Sequence, residues 1–224
     1  AKGLANVAAI RKVMKTPFIA DIHFNHKMAL GAIEAGVDKI RINPGNLGGM
    51  EKFREVVLAA KAKNVPMRIG VNSGSLEKDL IEKYGFPCPE AFCESALRYV
   101  EFCEKLGYKE IILSVKSTDV YHCVESYRRI AKLCDYPLHI GVTEAGMAPY
   151  GIVKSSVGLG PLLMDGIGDT IRVSLTGDAK QEIPVCFDIL KATGRRILSP
   201  EVIACPTCGR VELDLEKAVR DVEK

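Results

Sequence analysis

Seven short apolar runs along the chain end in polar residues: FIADIHF (18–24), KIRINPGN (39–46), MRIGVNSGS (67–75), IILSVKSTD (111–119), LHIGVTEAG (138–146), TIRVSLTGD (170–178) and ILSPEVIACPTCGR (197–210). Their length and composition predict a β-strand in each. Strand side chains an even number of positions apart share a face. Asp21 therefore falls with His23, Arg41 with Asn43, Arg68 with Asn72, Ser114 with Lys116, His139 with Thr143, and Arg172 with Ser174. Each strand is expected to leave the core carrying polar groups at its C-terminal end.

Between the runs, apolar residues recur every three or four positions over 26–35, 50–63, 90–106, 119–134 and 179–193, which predicts helices. Gly36 and Gly107 stand where C-caps are expected. Strands alternating with helices of this length imply βα units around a parallel sheet. The fold class expected is α/β, a TIM-like (β/α) barrel that is incomplete here, with about six βα units; a closed barrel needs about eight. The chain opens on ANVAAIRKVMK, which reads as the end of a helix, and closes on VELDLEKAVRDVEK, a capped amphipathic helix. Residues 1–198 are thus expected to form a barrel without its first two strands, and 199–224 the start of a second domain, with the boundary near Ser199-Pro200. A complete open α/β sheet is the other reading.

Composition narrows the function classes. The 224 residues are 47% hydrophobic and 26% charged, with a net charge of +3. That mild charge, with both signs mixed along the polar stretches, does not point to nucleic acid or an anionic membrane. No run approaches the ~18 apolar residues of a membrane span, and no signal-peptide pattern opens the chain, so a cytoplasmic location is expected. Of eight cysteines, Cys88, Cys93, Cys103, Cys123, Cys134 and Cys186 lack ligand-like spacing and are expected to be reduced, buried thiols.

Four strands bring a permanent cation to one side: Arg41, Arg68, Lys116 and Arg172. Arginine presents a planar fork suited to phosphate oxygens and lysine a point charge. Asn43, Asn72 and Ser174 add neutral donors, and Gly-rich turns after the strands expose N–H groups at helix starts. A strongly anionic ligand at the C-terminal ends of the strands is the expectation. The competing arrangement is a salt-bridge network with Asp21, Glu144 and Asp178. His23 and His139 with Asp21 and Glu144 would also allow a metal, but their spacing does not demand one. Glu144 follows a strand end and can position a substrate hydroxyl or carry a proton.

Cys205-Pro-Thr-Cys208-Gly-Arg210 places two thiols in a tight turn. By spacing alone an iron–sulfur cluster, a zinc site and a redox dithiol all remain open. The first two need ligands beyond this pair.

ADIHFNHKMAL, GVDKIRINPGNLGG, RIGVNSGSLEKDL, LSVKSTD, HIGVTEAG, VKSSVGLGPLLMDGIGDTIRVSLTGD and IACPTCGR, in this order along essentially the whole chain, resemble the bacterial 4-hydroxy-3-methylbut-2-enyl diphosphate synthases. These are the methylerythritol cyclodiphosphate reductases of non-mevalonate isoprenoid synthesis. The resemblance implies a TIM-like barrel joined to a small iron–sulfur α+β domain, and reductive ring opening of the cyclic diphosphate with loss of a hydroxyl. It implies that Arg41, Arg68, Asn72, Lys116, Arg172 and Ser174 hold the diphosphate. Asn43, His139 and Thr143 complete the candidate substrate-binding set, and Glu144 faces the substrate. Cys205 and Cys208 would ligate a 4Fe-4S cluster, and ferredoxin or flavodoxin would deliver electrons. The family's homodimer, in which one subunit's cluster domain closes on its partner's barrel, is the expected assembly. A third cluster cysteine and a cluster-ligating glutamate lie downstream of the matching residues, so the chain by itself is not expected to hold an intact cluster or turn over. The rival readings are a phosphate-binding barrel with a structural zinc appendage, and a barrel transferase for a pteridine.

Overall fold

The computed structural model describes residues 2–222. Six parallel strands follow one another in sequence order: β1 (Ile19–Ile22), β2 (Lys39–Ile42), β3 (Met67–Asn72), β4 (Ile111–Lys116), β5 (His139–Ile140) and β6 (Thr170–Ile171). β1 to β4 form one ladder and β5 with β6 a second, linked through a bridge between Leu113 and Leu138. Helix α1 (Lys2–Val13) precedes β1. The crossovers are α2 (His26–Glu34), α3 (Met50–Lys63), the pair α4 (Lys78–Tyr84) and α5 (Pro89–Lys105), α6 (Val120–Leu133) and α7 (Tyr150–Met164); α8 (Glu182–Ala192) follows β6. This is the wall of a (β/α) barrel with the six units the sequence predicts.

The alternation along the strands explains the layering. Ile40, Ile42, Met67, Ile69, Leu113, Val115, Ile140 and Val173 are all fully buried on the face covered by helices. Phe53, Val56 and Val57 of α3, Phe92 and Ala96 of α5, and Tyr127 and Ile130 of α6 pack against them. In-register residues of parallel neighbours point the same way. Asp21, Arg41 and Arg68 are therefore aligned laterally on the opposite face, as are Gly70 with Ser114 and Asn72 with Lys116. The inner face of the wall is polar through several layers.

The helix boundaries have local causes. Asn25 and Asp119 accept hydrogen bonds from Lys27 N and His122 N at the starts of α2 and α6. Gly36 and Gly107 end α2 and α5 with φ of +79° and +66°, as their positions predict. Arg11 ties α1 to the wall through Gly36 O and Asp38.

Two helices and one strand differ from the sequence expectation. Apolar periodicity does not reveal α7, because Lys154 is the one charged residue among its 15, and Pro161 sits inside it. Its apolar residues lie all round rather than in a stripe. The seven-residue α4 is too short to show a period. The run 197–210 is not a strand: it carries no regular structure beyond a turn, and Ile197 and Ile203 are 69% and 90% exposed. With no neighbouring strand to pair with, its apolar residues have nothing to bury against. The closing amphipathic helix is present as α9 (Leu215–Val222), capped by Asp214. Among the described residues no helix is long and apolar enough to cross a membrane.

Candidate active site

Arg41 projects from β2 across its neighbour. Its Nη1 reaches Asp21 Oδ1 at 2.9 Å and stands 3.3 Å from His23 Nε2. The guanidinium lies over Gly70 of β3, where a Cβ would come within 3.0 Å of Arg41 Nε. A strand-interior glycine here makes room for a cation rather than for a turn. Arg41 thus caps a pair already in contact, Asp21 Oδ1 and His23 Nε2 standing 3.4 Å apart, and no metal-binding group of three or more His, Cys, Asp or Glu occurs among the described residues.

Arg68 stands beside Arg41 on β3, and Lys116 is in register with Asn72 two layers higher. Lys116 is buried, 8% exposed, and a Cβ on Gly141 would meet its Nζ at 3.1 Å. Burial, with the charges of Arg68, Arg172 and Arg41, pushes the Lys116 ammonium down to about 7. Burial and Arg41 push Arg68 down to about 10. His139, on β5, is held neutral: burial first, then Lys116, Arg68 and Arg172, push it down to about 2. Its Nδ1 pairs with Thr170 Oγ1 at 2.8 Å, while its buried Nε2 meets no partner among the described residues. Of the four cations only Arg41 makes an ion pair among the described residues. Asp178 instead caps a short 3-10 turn through Lys180 N, so of the competing salt-bridge network only the Arg41–Asp21 pair is formed among the described residues.

Above these residues a cleft of about 380 Å³ opens at the C-terminal ends of β2 to β4, lined by Arg41, Asn43, Asn72, Ser75, Thr118 and Glu144 among others. Asn43 is buried, and its Nδ2 donates to Ser75 Oγ, which donates to Asn72 O at 3.2 Å. Glu144 is exposed at the rim and has φ +52°, a left-handed conformation unusual for a residue with a side chain.

The structure thus brings Arg41, Asn43, Asn72 and Glu144 to one cleft, with Arg68, Lys116, Arg172 and His139 coupled electrostatically on the same face. The cations are not all at strand ends: Arg68 is the second residue of β3, so it forms part of the wall. Thr143 and Ser174 are half-buried and do not line the cleft. Thr118, Gly70 and Gly141 escaped the sequence reading, and Ser75 entered it only as part of the Gly-rich turn 73–75. A glycine inside a predicted strand was the available signal for Gly70 and Gly141.

Cys205 and Cys208 are exposed on the irregular segment after α8. Thr207 between them has φ +70°, which bends the chain tightly. Hydrogen bonds from the backbone and side chain of Arg210 hold the Cys208 thiol below its ordinary value. Two exposed thiols on a tight bend, one of them biased toward thiolate, fit half of the ligand set of an iron–sulfur cluster.

A family model described as the GcpE TIM-barrel domain matches residues 1–187. The chain belongs to the GcpE family. This GcpE barrel is 55% identical over 214 residues to the 4-hydroxy-3-methylbut-2-en-1-yl diphosphate synthase (flavodoxin) of Thermodesulfovibrio yellowstonii, covering 96% of this chain and 61% of that protein. It is 52% identical over 223 residues to the protein of the same name from Fusobacterium nucleatum, covering 100% and 63%. The chain spans about three fifths of the length of these curated relatives. Among solved structures, dihydropteroate synthase from Stenotrophomonas maltophilia superposes with a TM-score of 0.56 at 12% identity, covering 85% of the GcpE barrel and 74% of that chain. At that identity the likeness is one of fold alone, that of a TIM-like barrel.

Proposed function

We propose that this chain is the substrate-binding part of a 4-hydroxy-3-methylbut-2-enyl diphosphate synthase. The reaction is the reductive ring opening of 2-C-methyl-D-erythritol 2,4-cyclodiphosphate to (E)-4-hydroxy-3-methylbut-2-enyl diphosphate, with release of water. The observation that carries this reading is the set of Arg68, Lys116 and Arg172 gathered on one face with no ion pair among the described residues; burial first, and then these neighbours, pushes the lysine down to about 7. Holding three cations together costs stability unless a polyanion joins them. Relatives more than 50% identical are named as diphosphate synthases, which supports a diphosphate as that polyanion.

In this reading Arg68, Arg172 and Lys116 hold the diphosphate, with Arg41 braced by Asp21. Asn43, Asn72, His139, Thr143 and Ser174 supply neutral donors and acceptors around it. Fixing the phosphates anchors the carbon skeleton without touching the bond that reacts. Binding also offsets the repulsion, so Lys116 is protonated in the complex. Glu144 at the rim is the group placed to hold a proton beside the departing hydroxyl. Residues 199–224 begin the domain in which Cys205 and Cys208 supply two ligands of a 4Fe-4S cluster. That cluster, when bound, is the source of the electrons. Flavodoxin, the donor in the relatives' names, or ferredoxin delivers them. The working unit is a cytoplasmic homodimer.

Turnover of the cyclic diphosphate by the intact protein, purified and assayed without oxygen with reduced flavodoxin, tests the proposal. Formation of the linear allylic diphosphate supports it. Binding of a pterin in its place, or zinc without acid-labile sulfide at the cysteines, overturns it.

A further inference from the structure

The ladder between β4 and β5 is interrupted, and the gap is filled from the helical side. It begins normally, with Leu113 N–H donating to Pro137 O at 2.9 Å, and resumes where Thr143 N–H donates to Ser117 O at 3.2 Å. Between these points two side chains of α6 stand in for the rungs. Tyr127 Oη donates to His139 O at 2.8 Å, and the Val115 backbone N–H hydrogen-bonds to the same phenol oxygen from the β4 side. Cys123 Sγ donates to Gly141 O at 3.4 Å, and the Ser117 backbone N–H hydrogen-bonds to that sulfur. An uninterrupted parallel ladder joins such groups directly.

Helix and strand geometry make this substitution possible. Residues i and i+4 on a helix stand about 6 Å apart, close to the two-residue repeat of a strand, about 6.6 Å. Cys123 and Tyr127 are 1% and 0% exposed. Burial pushes the Cys123 thiol up to about 11 and raises the phenol as well, so both remain neutral donors.

The gap lies under the anion site. Lys116 stands between Val115 and Ser117, and its Nζ lies against Gly141 on the other side. Ser114 Oγ, on the inner face, is 3.5 Å from Tyr127 Oη.

We propose that Tyr127 and Cys123 are positioning residues for the anion site: as inserted rungs they set the spacing of β4 and β5, and with it where Lys116 and His139 stand relative to Arg68. Direct pairing of the strands would drive Gly141 toward Lys116, which has no clearance there, and would push the lysine out toward solvent. Two apolar side chains in α6 would fill the core equally well but leave four backbone groups to pair directly or remain unpaired. This inference rests on the anion-site reading above.

The test is Tyr127→Phe in the intact holoprotein, with 2-C-methyl-D-erythritol 2,4-cyclodiphosphate as the probe and Arg68→Ala alongside. The phenylalanine keeps the packing and removes one rung. Loss of that hydrogen bond is expected to weaken binding and raise KM about tenfold. The value of kcat is expected to hold, because phosphate contacts act alike on ground and transition states. The pH at which binding falls off is expected to move upward, because a displaced Lys116 gains water. Hydrogen exchange at the Val115 and Gly141 amides is expected to change, while that of β1 to β3 stays as in wild type. Cys123→Ala carries the same test if Tyr127→Phe does not fold. Wild-type binding, pH limb and exchange in either folded variant overturn the positioning role. Wild-type binding by Arg68→Ala instead overturns the anion site itself.

Discussion

Arg41 lies flat on the backbone of Gly70, its Nε 3.0 Å from the point where a Cβ would stand. Its Nη1 reaches the other way, to Asp21 of β1 and to His23 just after that strand. Gly70→Ala forces the guanidinium to move, and the moving group is the flexible end of a side chain rather than backbone. The fold is expected to lose no more than about 1 kcal/mol. Affinity for the cyclic diphosphate is expected to fall roughly tenfold, the scale of one misplaced charge-assisted hydrogen bond. Thermal melting and calorimetric titration of the one variant measure both quantities.

Lys116 makes binding depend on pH in a defined direction. Burial, and then the charges of Arg68, Arg172 and Arg41, pushes it down to about 7, far below its ordinary value. Binding is expected to be strongest below that pH and to weaken above it, where protonating the lysine becomes part of binding. Stability runs the other way. The unfolded chain binds the proton that the folded chain releases, so this group's contribution to stability improves as pH rises from about 7 toward 10.5. Denaturation at a series of pH values, compared with Lys116→Met, isolates the lysine.

Lys116→Met is itself informative at pH 6. It removes a buried cation that has no carboxylate partner among the described residues. The expected outcome is a fold more stable by about 1–2 kcal/mol with diphosphate binding largely lost. A variant that is more stable yet unable to bind separates functional strain from packing. A variant less stable than wild type contradicts the electrostatic account of this residue.

Glu144 holds a left-handed backbone, φ +52°, at the rim of the cleft. Glu144→Gly is expected to relieve about 1 kcal/mol of backbone strain. Both Glu144→Gly and Glu144→Gln are expected to lower kcat about 100-fold if the carboxyl holds a proton in the reaction. Stopped-flow turnover of the two variants distinguishes the chemical role from the conformational one: only the glycine variant gains stability, while both lose rate.

The wall of the barrel could be read from the alternation of apolar and polar residues, because its outer face is buried under helices and its inner face is polar. Arg41, Asn43, Arg68, Asn72, Lys116 and Glu144 were visible as polar residues on or just after predicted strands. Gly70 and Gly141 were not, because their role depends on which side chain of a neighbouring strand crosses them. The Tyr127 and Cys123 rungs were hidden for a related reason: at helical spacing on the buried face of α6, they are indistinguishable from ordinary core residues. The run 197–210 misled because apolar content predicts a strand only where a neighbour exists to pair with it.

Cys205 and Cys208 stand on an exposed segment outside the barrel's core. Changing either to serine is expected to leave the melting of the barrel and its diphosphate affinity within error of wild type. Iron and acid-labile sulfide, measured after anaerobic purification of the intact protein, are expected to be lost. Retention of both in Cys205→Ser would remove that residue from the cluster.

The anion site itself is tested most directly by calorimetric titration of the intact protein with 2-C-methyl-D-erythritol 2,4-cyclodiphosphate at pH 6 and two salt concentrations, wild type beside Arg68→Ala. The account predicts saturable binding that weakens with salt and is reduced at least about 100-fold in the variant, the scale of removing a charged group from a buried ionic contact. Binding that is insensitive to salt and unchanged in Arg68→Ala would contradict it.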